Sequence, residues 1–508
     1  MNALSLRADK MPPTHIVRDF LGERIDKIEF HPDYWALVQI AIDTQMFRIK
    51  WQPELRARFA RERNLMSFGT SYLYAMSESG VYCPLCMTDG VALLLDTHAR
   101  EEDRARLLPH IYADKLADFY TGAMFLTEKA GGSDVGANNC RATPVQGAEG
   151  FYHIEGEKWF CSNANAQIAF LLARTDEQKQ GTAGLGIFLI EPQKADGSDN
   201  RGELQRLKDK LGVRSMASGE YLFTGKTWGK LIGKPTEGFR IMTDMINLSR
   251  LYNSVAALAC LRRAVAEAYQ FLAGRLSFGK NALQHALIRT KLGELGALQA
   301  ANFYLAWHCI RLLDAAEAGD QSAQERLRLL TPMTKKTTAE DAVYVVRESM
   351  ELMGGMGYIE DGVMPKIMRD VLVLPIWEGA GNIMSLDMLR AAAKSQGLKL
   401  LFDELQGFLH QSPDAMRLLQ HAANLCAHLL EVLQIEDADQ LQANIRPAFE
   451  QFARLYQYGL MLHYLDEESR QWLFPALAQW EQRYLFPSPF ARTQPPSVED
   501  IAALLAWG

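Results

Sequence analysis

The spacing of apolar residues changes twice along this sequence, and no other feature restricts the possible folds so strongly. Up to about residue 120, apolar residues recur at helical spacing, as they do over residues 34–59. Between about 121 and 236 they form short alternating or continuous runs separated by Gly, Asp and Asn, which is typical of β-strands. From residue 237 onward the helical spacing returns. The sequence therefore predicts helices, then a small β-domain, then helices.

The second helical region divides again near residue 395. One face of the next predicted helix is formed by five apolar residues: Leu398, Leu401, Phe402, Leu405 and Leu409. Further helices are expected at 415–434 and 447–464. From residue 400 onward there are fourteen Asp or Glu and six Lys or Arg, which indicates an acidic surface. We therefore expect four parts, with an irregular extreme N-terminus: 1–120, 121–236, 237–395, and a helical extension over 396–508.

Composition excludes several classes of protein. At 508 residues, 48% apolar and 23% charged, the chain has an ordinary composition for a globular protein with more than one core. Its net charge of −7 provides no general attraction to nucleic acid or anionic lipid. The longest uncharged run, 295–310, has 16 residues and is too short to span a bilayer. Seven cysteines, an odd number, suit a reducing cytoplasm, where we expect the protein to reside.

Motifs for metal and nucleotide chemistry are incomplete. The CxxC pair of Cys83 and Cys86 has no second CxxC or histidine pair to complete a zinc site, which favours a structural role. The segment 225–227 ends like a phosphate-binding loop, but the spacing from Gly219 is too long. There is no HExxH motif and no nucleophile elbow. We therefore expect neither a metal site nor a nucleotide hydrolase.

The segment Leu374–Ile383, LPIWEGAGNI, has the features expected of a catalytic base. A single carboxylate, Glu378, lies between an apolar aromatic run and the flexible Gly379–Gly381 segment that precedes a predicted helix. Apolar walls remove water from the charged carboxylate and raise its pKa above the usual value of about 4.3. A carboxylate tuned in this way accepts a proton near neutral pH. Taken alone, a carboxylate in this position is more often a solvated loop residue or a helix-start carboxylate, so the assignment depends on the rest of the chain.

Three further segments contain groups suited to binding a polar ring or a phosphate. The stretch Thr127–Asp134 places hydroxyls and glycine backbone at the end of a β run. Phe160 and Ser162 are two residues apart on a predicted strand and therefore share a face. Arg275, next to Ser277–Lys280, provides a cation for a phosphate. Individually, each is also compatible with a turn, a core aromatic or a solvated cation.

Five motifs occur in one order: TEKAGGSDV, GEKWFCSNA, RLSFGK, ELMGGMGY and WEGAGNI. Together they resemble the acyl-CoA dehydrogenase family over about residues 30–393. The stretches SESGVYCPLCMT and KDKLGVRSMAS, with the C-terminal extension, most resemble the AidB-like, alkylation-response branch of that family. The resemblance implies an α+β, mainly α fold: an N-terminal helical domain, a middle β-barrel and a C-terminal four-helix bundle, followed by the helical extension.

The resemblance also implies the cofactor FAD and the residues that bind it. Seven residues would contact the FAD held by their own subunit: Phe125, Leu126, Thr127, Gly132, Ser133, Phe160 and Ser162. Five others belong to segments that bind the FAD of a neighbouring subunit: Arg275, Phe278, Leu352, Gly354 and Gly355. Because the site is shared, the resemblance implies a homo-oligomer, most simply a dimer of dimers.

For catalysis, the resemblance implies the α,β-dehydrogenation of an acyl-CoA thioester. Glu378 would take the α-proton, hydride would pass to the flavin, and the product would be the trans-2-enoyl thioester. Arg250 matches an arginine that supports the base, and Ser249 stands where a minority of the family carry the base instead. Electron-transferring flavoprotein is the implied acceptor of the electrons.

The AidB-like branch provides an alternative of another class, a flavoprotein that binds or protects DNA and has little dehydrogenase activity. Such a protein needs a basic surface, because phosphate contacts dominate DNA binding. Residues 400–508 carry a net charge of −8, from 6 minus 14, which leaves +1 for the rest of the chain. Nucleic-acid binding is therefore not expected at physiological salt.

Overall fold

The computed structural model describes residues 1–487 and 494–506. The chain divides into two compact units, Met1–Tyr252 and Asn253–Gly508. Within the described ranges, no helix has both the length and the apolar character needed to cross a membrane.

The first unit opens with helix α1 (Asn2–Lys10) and a hairpin of strands β1 (Thr14–Arg18) and β2 (Arg24–Glu29). The expectation of an irregular N-terminus is therefore wrong. The hairpin is held by contacts that are distant in sequence: Arg24 donates to the carbonyl of Leu204 at 2.7 Å, and the Leu204 amide donates to Asp26 at 3.1 Å.

Six helices follow the hairpin and form most of the predicted N-terminal helical region. They are α2 (Pro32–Asp43), α3 (Met46–Trp51), α4 (Pro53–Arg58), α5 (Arg63–Ala75), α6 (Tyr82–His98) and α7 (Glu101–Ile111). Both cysteines of the CxxC pair lie on α6, with Cys86 buried and Cys83 partly buried.

A seven-stranded sheet follows and forms the predicted β-barrel. Its strands are β3 (Gly122–Phe125), β4 (Arg141–Pro144), β5 (Phe151–Ser162), β6 (Ile168–Arg174), β7 (Leu185–Ile190), β8 (Glu203–Leu207) and β9 (Ser218–Ile232). The strand order is β3-β6-β4-β5-β9-β7, β8 pairs with β9, and an additional β6–β7 pairing closes the ring. Alternate residues such as Cys161, Leu171 and Phe188 fill its core.

Long helices return with α8 (Gly238–Ala273), which runs across the boundary between the units. A small hairpin and five helices complete this region: β10 (Leu276–Ser277), β11 (Lys280–Asn281), α9 (Ala286–Glu317), α10 (Gln321–Leu352), α11 (Gly355–Tyr358), α12 (Met364–Val371) and α13 (Gly381–Lys394). Helix α10 packs against α9 and α13, as expected for a bundle. The predicted order of helices, β-domain and helices is confirmed.

The extension belongs to the second unit and consists of helices α14 (Gly397–Leu409), α15 (Ala415–Leu433), α16 (Ala438–His463), α17 (Arg470–Trp480) and α18 (Val498–Ala506). The apolar face expected from Leu398 to Leu409 is buried on α14. Helix α16 begins at Ala438 instead of 447, because the Asp437 carboxylate caps it by accepting the Gln440 amide at 2.8 Å. Residues 488–493 and 507–508 of the expected extension lie outside the described residues.

Candidate active site

Strand β5 carries a β-bulge at Trp159 and Phe160. Lys158 pairs with Tyr221 and Cys161 with Gly219, so two residues of β5 face one residue of β9. The amide of Trp159 is thereby available for another partner and donates to the carbonyl of Thr127 at 2.8 Å. The bulge thus joins two of the sequence motifs directly, although about thirty residues separate them.

A buried ion pair also connects these two motifs. Lys158 Nζ lies 2.7 Å from Glu128 Oε1, and both side chains are almost fully buried. The Glu128 carboxylate also accepts the amides of Asn139 at 2.6 Å and Cys140 at 3.1 Å. Because a buried charge must be compensated, this arrangement fixes the loop that follows β3 in one conformation.

Phe160 and Ser162 share the face opposite the barrel core, as the sequence predicts. Cys161 between them is buried, whereas Phe160 is 51% exposed. Lys208 Nζ lies 4.5 Å from the Phe160 ring centroid, and Ser162 Oγ lies 3.4 Å from Ser218 Oγ. This face presents an aromatic ring, a hydroxyl and a cation together.

The loop after β3 has backbone that only glycine allows. Gly131 has φ of +116°, and a Cβ on Gly132 would lie 2.8 Å from Thr127 Oγ1. Gly132 and Ser133 are exposed and Thr127 is partly buried. Because the glycines have no side chains, a ligand can come close to the backbone of this loop. Together with the exposed aromatic face beside it, the loop suits a flat ring with a polar edge and an attached phosphate, as in the FAD that the resemblance implies.

The two residues before Thr127 have different environments. The Phe125 side chain faces the barrel interior, 5.8 Å from the Tyr221 ring, and lines a cavity of about 430 Å³. Its side chain therefore points into the barrel, and a contact of Phe125 with a ligand on the outer face has to come from its backbone. The Leu126 carbonyl accepts Asn138 Nδ2 at 2.9 Å and Lys158 Nζ at 3.3 Å.

In the second unit, Glu378 lies on a strained loop. Its φ is +54°, a left-handed conformation that costs a non-glycine residue about 1–2 kcal/mol, and the next residue, Gly379, has φ of +97°. Glu378 is partly buried, and helix α13 begins three residues later at Gly381. Strain of this kind persists only where surrounding contacts impose it.

Two such contacts flank Glu378. Trp377 Nε1 donates to Asn253 Oδ1, and Lys335 Nζ, from a residue only 1% exposed, donates to the Gly379 carbonyl at 2.7 Å. Both partners lie far from the loop in sequence, on α8 and α10. The carboxylate is thus carried on a loop fixed immediately before and after it.

Arg250 and Ser249 are both buried on α8. Arg250 Nη1 donates to Asn247 Oδ1 at 3.0 Å, one turn earlier on the helix. The guanidinium is therefore oriented by its own helix.

The small hairpin places Phe278 at its tip. Phe278 has φ of +45° and Gly279 has φ of +77°, values typical of a two-residue turn between antiparallel strands. The Phe278 side chain is 97% exposed, and Arg275 and Leu276 beside it are exposed as well. The tip thus presents an exposed aromatic ring beside an exposed arginine.

The residues at the end of α10 form a second exposed segment. Gly354 has φ of +60° and ψ of −143°, which only glycine adopts readily, and Gly355 is exposed. Leu352 is partly buried on the last turn of the helix.

Sequence reasoning missed Glu128, Lys158 and Lys335 as parts of the site. The first two lie inside the TEKAGGSDV and GEKWFCSNA motifs, and their opposite charges were the available signal. Lys335 lies in a polar-looking stretch of α10 whose burial depends on packing. Over the part of the chain that the structure describes, no group of three or more His, Cys, Asp or Glu side chains is arranged to hold a metal ion.

Three family models match consecutive parts of the chain. The first, described as the adaptive response protein AidB N-terminal domain, matches residues 1–116. The second, the acyl-CoA dehydrogenase middle domain, matches 123–225, and the third, the acyl-CoA dehydrogenase C-terminal domain, matches 236–393.

Curated relatives and solved structures agree with these matches. The putative acyl-CoA dehydrogenase AidB of Escherichia coli (strain K12) is 33% identical over 78% of this chain and 72% of its own length. Acyl-CoA dehydrogenase family member 11 of Caenorhabditis elegans is 28% identical over 92% of this chain and 78% of its own length. The crystal structure of C. elegans ACDH-11 in complex with C11-CoA has a TM-score of 0.87 at 26% identity, over 97% of this chain and 85% of that one. By domain matches, identity and fold, the chain belongs to the acyl-CoA dehydrogenase family of FAD-dependent oxidoreductases, and its N-terminal domain is of the AidB type.

Proposed function

We propose that the protein catalyses α,β-dehydrogenation of an acyl-CoA thioester to the trans-2-enoyl-CoA, with Glu378 as the base that removes the α-proton. The observation that carries this proposal is the conformation of Glu378, which is held at φ of +54° on a loop anchored through Trp377 and Gly379. A carboxylate kept in a strained conformation by buried partners is a feature of functional sites.

The loop residues have distinct tasks in this proposal. A Glu378 carboxylate oxygen accepts the α-proton, and the Glu378 backbone N–H donates to the thioester oxygen, which makes that proton acidic enough to leave. Trp377, fixed by its bond to Asn253, presents an apolar wall that limits water around the carboxylate. The hydride from the β-carbon requires a two-electron acceptor, which bound FAD would supply.

The first unit supplies the residues that would hold the cofactor. Thr127, Gly132 and Ser133 would bind its polar edge and phosphates through hydroxyls and close backbone approach. Phe160 would stack on the ring system, and Ser162 would donate a hydrogen bond to it. The half-exposed Phe160 ring supports this assignment, because it is available to stack on a flat ring system on the outer strand face.

Partners follow from the exposed segments and from the relatives. The exposed tip at Phe278 and the exposed Gly354–Gly355 segment fit contact with the FAD of a second copy, so we propose a homo-oligomer, most simply a dimer of dimers. A related protein has been solved with C11-CoA, which favours an acyl-CoA of comparable length as the first substrate to test. Electron-transferring flavoprotein is the proposed electron acceptor.

The test is anaerobic bleaching of the flavin absorbance by a panel of acyl-CoA esters, for the parent and for Glu378→Gln. The amide keeps the size of the side chain but does not accept a proton, so bleaching should slow by at least the roughly 10²–10⁴-fold typical of a general base. Flavin content and the melting temperature should stay at parent values. Glu431→Gln, which changes an exposed carboxylate of α15, is the matched control and should bleach at the parent rate.

Two outcomes would overturn the proposal. If Glu378→Gln bleaches at close to the parent rate, the base is another residue. If no acyl-CoA bleaches the parent, the dehydrogenase assignment fails, and a binding or protective flavoprotein becomes the better hypothesis.

A further inference from the structure

Helix α16 of the extension places two charged residues against the start of helix α13. Arg446 Nη1 donates to Asn382 Oδ1 at 2.8 Å, and Arg446 Nε donates to Glu450 Oε1 at 3.0 Å, one turn further along α16. Asn382 is only four residues beyond Glu378. The extension therefore forms a hydrogen bond with α13, the helix that directly follows the loop carrying Glu378.

Helix α10 completes a four-membered cluster with these residues. Lys336 Nζ lies 2.7 Å from Glu340 Oε2 and 2.6 Å from Glu450 Oε1, and Arg446 Nη2 lies 3.3 Å from Glu340 Oε1. The Lys336 side chain is 3% exposed, so its ammonium depends on both carboxylates for compensation. Two cations and two anions make the cluster neutral.

Gly381 brings the backbone of α13 into contact with this cluster. A Cβ on Gly381 would lie 2.9 Å from Glu340 Oε1 and 3.8 Å from Arg446 Nη1. A side chain at position 381 would therefore require the Glu340 carboxylate to shift.

The titration of Glu450 agrees with a tight cluster. Burial raises the pKa of the Glu450 carboxyl, but its bonds to Lys336 and Arg446 outweigh burial and hold the pKa below its ordinary value. Glu450 is therefore charged near neutral pH.

We propose that Arg446 and Glu450 are positioning residues through which the C-terminal extension fixes the catalytic loop; this inference rests on the proposed role of Glu378 as the base. Lys335 holds the loop at Gly379, and Arg446 holds the first turn of α13, into which the loop leads, at Asn382. Left-handed strain at Glu378 needs support on the far side of the residue, and these two contacts provide it. The extension thus acts on catalysis indirectly, by holding the segment that carries Glu378, and does not contact the substrate.

The experiment compares Arg446→Met, Arg446→Lys and, as control, Arg470→Met, which changes an exposed arginine on another helix of the extension. Misplacing a base by a fraction of an ångström should slow flavin bleaching by roughly tenfold in Arg446→Met, because rate depends steeply on geometry. Its KM, flavin content and melting temperature should remain close to those of the parent. Arg446→Lys keeps the charge and should restore part of the rate, and Arg470→Met should match the parent.

A second readout does not depend on turnover. Hydrogen–deuterium exchange of the peptide covering residues 374–386 should be faster in Arg446→Met than in the parent, and unchanged in Arg470→Met. The pH profile of bleaching should also shift in Arg446→Met, because a displaced Glu378 samples a different environment.

The outcomes separate this inference from the proposed function. If Arg446→Met keeps the parent rate, pH profile and exchange while Glu378→Gln is inactive, the positioning role is wrong and the base assignment stands. If Arg446→Met loses stability and flavin together with rate, and Lys gives no rescue, the arginine is merely structural and the inference is also wrong. If Glu378→Gln bleaches normally, the proposed function fails, and this inference fails with it.

Discussion

The Lys335 ammonium lies 2.7 Å from the carbonyl oxygen of Gly379, the residue that follows the candidate base Glu378. Lys335 is almost fully buried in the middle of α10, and the two residues are 44 positions apart in sequence. A charge-assisted bond to a backbone carbonyl is stronger than a neutral one and fixes the direction of the peptide plane. This contact sets the orientation of the base loop from one side.

Replacing Lys335 with Met should therefore release the loop. The Gly379 carbonyl loses a donor, and we expect the free energy of unfolding to fall by about 1–3 kcal/mol. Bleaching by acyl-CoA should slow as well, because Glu378 is no longer held. Urea unfolding and stopped-flow absorbance measure the two effects. Lys399→Met, at an exposed position of α14, is the control, with an expected change within about 0.5 kcal/mol; equal effects of the two variants would contradict a special role for Lys335.

The contribution of the buried Glu128–Lys158 ion pair can be tested against a neighbouring exposed ion pair. Glu128→Gln leaves the Lys158 ammonium buried without its counter-charge, and we expect a loss of about 3–5 kcal/mol in the free energy of unfolding. Flavin should dissociate more readily, since the loop after β3 loses its support. The neighbouring pair of Lys129 and Glu157 is about half exposed, so Glu157→Gln should cost less than about 1 kcal/mol. Urea titrations and flavin fluorescence on release distinguish the two variants, and a small effect of Glu128→Gln would show that the loop is fixed in another way.

The hairpin tip tests the proposed subunit contact. Asn tolerates positive φ better than Phe, so Phe278→Asn should leave the fold of one chain as stable or slightly more stable. Loss of the exposed ring should nonetheless weaken association and flavin retention. Light scattering and flavin content are the measurements. Phe20→Asn, which removes an equally exposed ring from the turn of the β1–β2 hairpin, serves as control; if both variants keep the parent assembly and flavin, Phe278 is not a subunit contact.

The carboxylate of Glu404 on α14 should make the protein sensitive to acid. Burial raises the pKa of Glu404, but hydrogen bonding to His308 and Tyr456 and the charge of Arg326 outweigh burial and lower the pKa below its ordinary value. Because the folded pKa is the lower one, the stabilisation is complete above the unfolded value of about 4.3 and is lost as pH falls through the folded value. The urea midpoint of the parent should therefore drop as pH falls below about 4.3, and it should drop less in Glu404→Gln than in the control Glu431→Gln. Identical acid profiles for these two variants would contradict the assignment.

Local patterns in the sequence determined the elements and their order. Helical spacing, alternation and glycine positions act over a few residues, so the barrel strands and the helix after Glu378 could be predicted without tertiary information. The shared face of Phe160 and Ser162 was predictable for the same reason, because side chains alternate along a strand and Cys161 between them is buried. The five motifs indicated the family in the same way, because each is a short contiguous stretch and their order along the chain is itself a property of the sequence.

Tertiary packing decided which side chains hold the candidate site in place. Three hydrogen bonds join residues that are distant in sequence: Lys335 to Gly379, Trp159 to Thr127, and Arg446 to Asn382. Contacts over such separations produce no periodic pattern from which they could be predicted. Lysine is usually a surface residue, yet Lys158 and Lys335 are both buried. Their burial depends on which other helices and strands pack over them. The sequence alone determines which residues can act, whereas the long-range contacts of the folded chain determine how firmly each is held.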